Sequence, residues 1–275
     1  NTAPCIAYAM AKIESRCKDA LVLVMPSDHL IMDTDNFIAQ IQKGFRLAER
    51  QEVLICLGIK ASYPNTGYGY IQYMDNMCAT GDCGIKKVKL FTEKPAYEMA
   101  CSFVESGDFL WNAGIFVWSA KAIKNAFAKF LPEVADVLNK GMEVLNTDKE
   151  AAFIEEAYSI CPSISIDYGV MEKADNVYVI PSDFGWSDIG TWGALYNVSP
   201  KDENGNSVVG SNVMLYDCRN CLVHVPKERL LVVQGLEDYI VVESEGVVMM
   251  CRKGEEQRIK QFTTDVEIEK GSEFI

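Results

Sequence analysis

Leu21-Val22-Leu23-Val24-Met25-Pro26-Ser27-Asp28-His29 is a short apolar run that ends in a turn and a carboxylate. Far downstream, Val177-Tyr178-Val179-Ile180-Pro181-Ser182-Asp183-Phe184-Gly185-Trp186-Ser187-Asp188-Ile189-Gly190 repeats that arrangement. Apolar runs without polar alternation are what strands buried on both faces look like, and such strands belong to α/β sheets covered by helices. Between the two, Val88 to Phe91 runs into Thr92-Glu93-Lys94-Pro95. If the three runs are neighbouring strands of one sheet, their ends converge on one cleft, where open α/β sheets bind ligands. Two carboxylates and one ammonium suit a metal-bound polyphosphate, because Mg²⁺ takes one or two protein carboxylates and leaves its other positions to phosphate and water.

Working outward, strand-like and helix-like segments alternate. Pro4 suits a first helical turn capped by Thr2 or Ala3, and Ile6, Met10, Ile13 and Cys17 recur at helical spacing. Residues 35–50 place Phe37, Ile41, Phe45 and Ala48 on one face, and Val53 to Ile59 reads as another strand. Residues 61–70 form a Pro/Asn/Gly loop, 96–106 a helix, 110–118 a strand, and 121–145 one or two helices broken near Pro132. Shorter helices are expected at 166–174 and 191–197. This is the pattern of a doubly wound, Rossmann-like α/β domain. After Pro200 and the polar stretch 201–206, helical periodicity gives way to short β-rich runs between turns, as in a small sandwich, a hairpin stack or a few coils of a solenoid. The expected domains are 1–200 and 201–275.

Half of the 275 residues are apolar and a quarter charged, an ordinary globular composition that can bury a sizeable core. A net charge of -13 argues against nucleic acid or an anionic membrane surface as partner, and no apolar run reaches the length of a membrane span. The ten cysteines mostly lie inside apolar runs and read as buried thiols. Cys218-Arg-Asn-Cys221 is a lone CxxC in a chain with two histidines, so it reads as a turn entering a strand and not as a zinc site.

Five strings, LVMPSDH, FTEKP, FLWNAGIFVW, SIDYGVMEK and FGWSDIGTW, occur here in an order that resembles the mannose-1-phosphate guanylyltransferases among the sugar-phosphate nucleotidyltransferases. The resemblance implies a GT-A-like nucleotidyltransferase domain followed by a left-handed β-helix-like domain. It implies that Asp28 and Asp188 hold Mg²⁺, that Lys94 holds the sugar phosphate, and that Glu93 and Asn112 meet sugar hydroxyls. It also implies that Gly69, in Thr66-Gly67-Tyr68-Gly69-Tyr70, lets the backbone approach the hexose, and that Thr2 lies where the family approaches the nucleotide. The chain opens on Asn1-Thr2-Ala3-Pro4, similar to a helix start well inside the family's domain. The Gly-rich loop with Arg and Lys that grips the triphosphate is not matched, so residues 1–275 alone are expected to make negligible GDP-mannose.

Each residue also has a plainer reading. Asp28 and Asp188 could cap a turn and a helix, and Glu93-Lys94 could be a surface pair. Pro95 biases Lys94 toward extended backbone. Asp167 and Glu172-Lys173 match the family string but also read as a helix cap and a solvated helix end, so they are left out of the catalytic set. The expected function is transfer of GMP from GTP to mannose 1-phosphate, in the cytoplasm, with homodimerisation through the β-rich domain. The alternatives are another hexose 1-phosphate or a non-catalytic sugar-nucleotide sensor.

Overall fold

A computed structural model describes residues 1–79 and 82–275. The chain forms two compact units: Asn1–Ser27 with Ile31–Trp186, and Asp28–Leu30 with Ser187–Ile275. The expected boundary after residue 200 falls inside the second unit.

In chain order the first unit contains α1 (Thr2–Glu14), β1 (Leu21–Val24), α2 (Thr34–Arg50), β2 (Leu54–Lys60), β3 (Gly69–Ala79), β4 (Asp82–Glu93), α3 (Tyr97–Ser106), β5 (Phe109–Ser119), α4 (Ala120–Phe130), α5 (Pro132–Asn139), α6 (Glu150–Ile160) and β6 (Val177–Ser182). The sheet order is β1-β5-β2-β6-β4-β3, and β3 also pairs with β5. β2 and β6 are parallel, while β5 is antiparallel to both β1 and β2. β4 is antiparallel to β6. The sheet is therefore mixed. Three runs expected to be neighbours share the sheet, but β5 and β2 separate β1 from β6, and β4 runs against β6. Aligned strand ends do not by themselves gather the three motifs.

Central strands are apolar at most positions because both faces are covered. Leu54 and Cys56 join one core cluster with Ile6 and Met10 of α1 and Ile123 and Phe127 of α4. Ile55 and Leu57 join the other with Phe37, Ile41 and Leu47 of α2. Trp118 and Val117 divide in the same way on β5. Each fully buried aliphatic side chain contributes about 1.5–3 kcal/mol. Helix starts follow local chemistry: Asp33 accepts from the Asn36 amide at 3.0 Å, Ser119 from Ala122 at 3.2 Å, and Pro132 opens α5. At α1 the cap is Asn1, whose side chain accepts from the Thr2 amide, and not Thr2 or Ala3.

The second unit holds α7 (Trp192–Val198), β7 (Ser207–Val209), β8 (Val213–Tyr216), β9 (Leu222–His224), β10 (Leu231–Gln234), β11 (Tyr239–Ser244), β12 (Val247–Arg252) and α8 (Ile259–Lys270). β7, β9 and β11 stack in parallel, as do β8 and β10, and β12 returns antiparallel to β11. Cys218, Cys221, Val223 and Val241 fill the space between, and both cysteine thiols donate to backbone carbonyls. Expected loss of helical structure after 200 is corrected by α8. None of its residues is buried, so it leaves no apolar stripe for periodicity to detect. Among the described residues no helix is long and apolar enough to cross a membrane.

Candidate active site

In the first unit the site residues are carried by β3, β4, β5 and the turn before β6. Gly69 faces Glu93 across the β3–β4 ladder, and Asn112 lies on β5. The Glu93 side chain is only 9% exposed while Lys94 is 57% exposed, with 3.3 Å between the Lys94 ammonium and Glu93 Oε1. Oε2 of Glu93 is buried without a protein partner. Burial pushes the Glu93 carboxyl up to about 7, with Asp167 adding to the rise and Lys94 opposing it. Glu93-Lys94 is thus half buried carboxyl and half open ammonium, unlike a surface ion pair.

Lys94 has φ +48°, so its backbone is left-handed and not extended as its place before Pro95 suggested. Its amide donates to the Tyr68 carbonyl at 3.1 Å, which holds the conformation. Strained non-glycine backbone of this kind costs about 1–3 kcal/mol and is concentrated at functional sites.

The structure adds Asp167 and Glu172, which sequence reasoning set aside, and Tyr168, which it did not weigh. Asp167 lies in a π-helical turn, Asp167–Met171, and its carboxylate accepts from Asn112 Nδ2 at 2.9 Å. Burial raises the Asp167 carboxyl above its ordinary value. Asp167 is not the cap, which falls at Ile166, and Glu172 is the exposed C-cap of the turn, whose Oε1 also accepts the Glu93 amide at 2.8 Å. Tyr168 donates its hydroxyl to the Glu93 carbonyl at 3.2 Å. The signal was the string SIDYGVMEK itself, whose carboxylates flank an apolar face with Gly169, Val170 and Met171 buried. Thr2 is tied to this region: its hydroxyl accepts from the Ile166 amide at 2.9 Å.

In the second unit Asp28 and Asp188 are brought to one imidazole. Burial lowers His29 below its ordinary value, and the charges of Asp188 and Asp28 both pull it back up. Asp28 is exposed and Asp188 half-buried. Asp188 does not cap α7; Thr191 does, accepting from Ala194 at 3.1 Å. Asp188 Oδ1 instead accepts from the Gly190 amide at 3.0 Å, and Ile189 between them has φ +49°. Carboxylate oxygens are the donor type Mg²⁺ uses. Among the described residues no group of three or more His, Cys, Asp or Glu side chains could hold a metal ion.

Residues 1–205 match the family model "Nucleotidyl transferase". The chain is 37% identical over 262 residues to the alginate biosynthesis protein AlgA of Pseudomonas putida, covering 95% of this chain and 53% of that protein. It is 35% identical over 278 residues to the mannose-1-phosphate guanylyltransferase of Salmonella montevideo, covering 100% of this chain and 58% of that protein. The chain spans about half the length of the curated relatives it matches. Among solved structures, "mannose-1-phosphate geranyltransferase" of Thermus thermophilus superposes with a TM-score of 0.81 at 26% identity, covering 97% of this chain and 75% of that one.

Proposed function

We propose, from the premise that this chain belongs to the nucleotidyl transferase family, that it transfers GMP from GTP to mannose 1-phosphate. A phosphate oxygen of the sugar phosphate attacks the α-phosphorus, the new P–O bond forms, the α–β bond breaks, and pyrophosphate leaves with its electron pair. The attacking oxygen is already anionic, so the reaction needs alignment and charge neutralisation and no covalent enzyme intermediate.

The observation that carries this reading is the buried, unpartnered Oε2 of Glu93 beside the exposed Lys94 ammonium. A carboxyl oxygen that lacks a partner is an acceptor for a hydroxyl, and a cation one residue away suits the phosphate of the same small molecule. Lys94 would hold the phosphate, Glu93 and Asn112 the sugar, with Gly69 allowing close approach and Thr2 near the nucleotide. Asp28 and Asp188 fit a Mg²⁺ ion or another divalent cation. When bound, that ion would neutralise charge on the phosphate oxygens. The names of the relatives favour GDP-mannose as product. The reading also takes the reaction to be cytoplasmic, the parallel coils of the second unit to be a left-handed β-helix, and the protein to dimerise through it.

The test is an assay of the full-length protein with Mg²⁺, GTP and either mannose 1-phosphate or glucose 1-phosphate, following sugar nucleotide and pyrophosphate by chromatography. Stoichiometric GDP-mannose and pyrophosphate are expected. Preference for another sugar or nucleotide would reassign the substrate, and no transfer to any hexose 1-phosphate would reject the enzyme reading.

A further inference from the structure

We infer that Asp167 is a positioning residue for sugar recognition: its carboxylate fixes the orientation of the Asn112 amide, so that a donor and the Glu93 acceptor flank one hydroxyl of the hexose. This rests on the proposed function and extends it to a residue that does not itself touch the sugar.

An asparagine amide can be turned over at little cost unless its neighbours decide. Here they do. Nδ2 donates to Asp167 Oδ1 at 2.9 Å, and Oδ1 accepts from the Gly114 amide at 3.1 Å. Turning the amide over would set a carbonyl oxygen against the Asp167 carboxylate and two N–H donors against each other. One N–H on Nδ2 remains for a ligand. A Cβ at residue 69 would lie 3.4 Å from Asn112 Nδ2 and would collide with Glu93 Oε2. The amide nitrogen and the unpartnered carboxyl oxygen therefore lie together against the Gly69 backbone, which is free of any side chain. A hydroxyl bound beside both would accept from Asn112 and donate to Glu93, which uses both halves of its hydrogen-bonding capacity.

Stability alone does not call for a carboxylate at 167. Asp167 is itself partly desolvated, and its charge helps drive the neighbouring Glu93 carboxyl toward its neutral form. Buried carboxyls that oppose one another in this way are characteristic of functional sites. The turn that carries Asp167 closes through the Glu172 amide onto the Asp167 carbonyl at 3.0 Å, an i to i+5 bond, and such π-turns recur at functional sites. The same turn delivers Glu172 to the Glu93 backbone, so both sugar-facing residues are braced from one short segment.

Calorimetric titration of the full-length protein with mannose 1-phosphate and its monodeoxy analogues tests this. Asp167→Ala should weaken mannose 1-phosphate by about tenfold or more, the size of a hydrogen-bond loss at a charged site. At least one monodeoxy analogue should bind the wild type more weakly by a similar factor yet bind Asp167→Ala and its wild-type parent alike. Asp167→Asn, which keeps an acceptor for Nδ2, should recover most of the affinity. In an Asn112→Ala background the further Asp167→Ala change should have no effect, since residues acting through one another are not additive. Asp167→Ser serves in place of the alanine variant if that fails to fold. Wild-type affinity in Asp167→Ala, or losses that add in the double variant, overturns the inference. A wild type that binds no hexose 1-phosphate removes the proposed function, and this inference with it.

Discussion

Gly69 and Glu93 specify one another: they are cross-strand partners, and a Cβ on residue 69 would run into the buried Oε2 of Glu93. Gly69 does not have a left-handed φ, so the constraint is space and not backbone conformation.

Gly69→Ala should accordingly displace the Glu93 carboxyl. Overpacking of this kind costs about 1–3 kcal/mol. Thermal denaturation should show a lowered Tm, and mannose 1-phosphate binding should weaken. Gly254→Ala, where a Cβ meets nothing within 4 Å, is the control and should leave both unchanged.

Glu93 gives a pH dependence of definite sign. With its carboxyl held at about 7 in the folded protein, above its ordinary 4.5, the folded state binds the proton more tightly than the unfolded chain. Its stabilising contribution is complete below about 4.5 and is lost as pH rises through about 7, on the order of 3 kcal/mol across that window. Glu93→Gln should flatten the denaturant-midpoint profile between those pH values. A profile identical to wild type would show that Glu93 is ionised throughout.

Glu150 acts in the opposite direction. Hydrogen bonds from Lys12 and Tyr8, and from the Asn146 amide, hold it down to about 2 from 4.5. Its contribution is present above about 4.5 and disappears as pH falls toward about 2. Glu150→Gln should therefore cost stability at neutral pH and little near pH 2, read from urea midpoints at the two values.

Lys94→Ala should separate the two substrates. If its ammonium holds the sugar phosphate, affinity for mannose 1-phosphate falls by about one to two orders of magnitude, the worth of a charge-assisted contact, while affinity for GTP is unchanged. Equal weakening of both in calorimetry would refute the assignment.

Asp28→Asn and Asp188→Asn should each lower turnover roughly a hundredfold or more at saturating Mg²⁺, as loss of a strong electrostatic stabiliser does. Folding should survive, because Asp28 is exposed and an asparagine at 188 keeps an oxygen for the Gly190 amide. Near-normal rates in either variant would remove that residue as a metal ligand.

The strands at 21–24, 54–60, 109–119 and 177–182 were legible because burial writes itself into the sequence as largely apolar runs. Helix α2 was legible because one face is buried and the other wet. The hairpin of β3 and β4 was read mainly as loop and one short strand, since its run from Tyr73 onward mixes polar and apolar residues. Helices α6 and α8 were missed because α6 buries only Ala157 and α8 nothing.

Within the site, the sequence by itself determined which residues carry charge next to strand ends: Asp28, Glu93, Lys94 and Asp188. Only the tertiary structure decided what those charges meet. Asp167 and Glu172 looked like helix furniture because their partners, Asn112 and Glu93, lie on other strands, and Lys94 looked extended because Pro95 was the only neighbour visible to it. Local propensity reports how one segment prefers to fold, whereas a carboxyl's ionisation and an amide's orientation depend on atoms brought close by sheet order, which no single segment encodes.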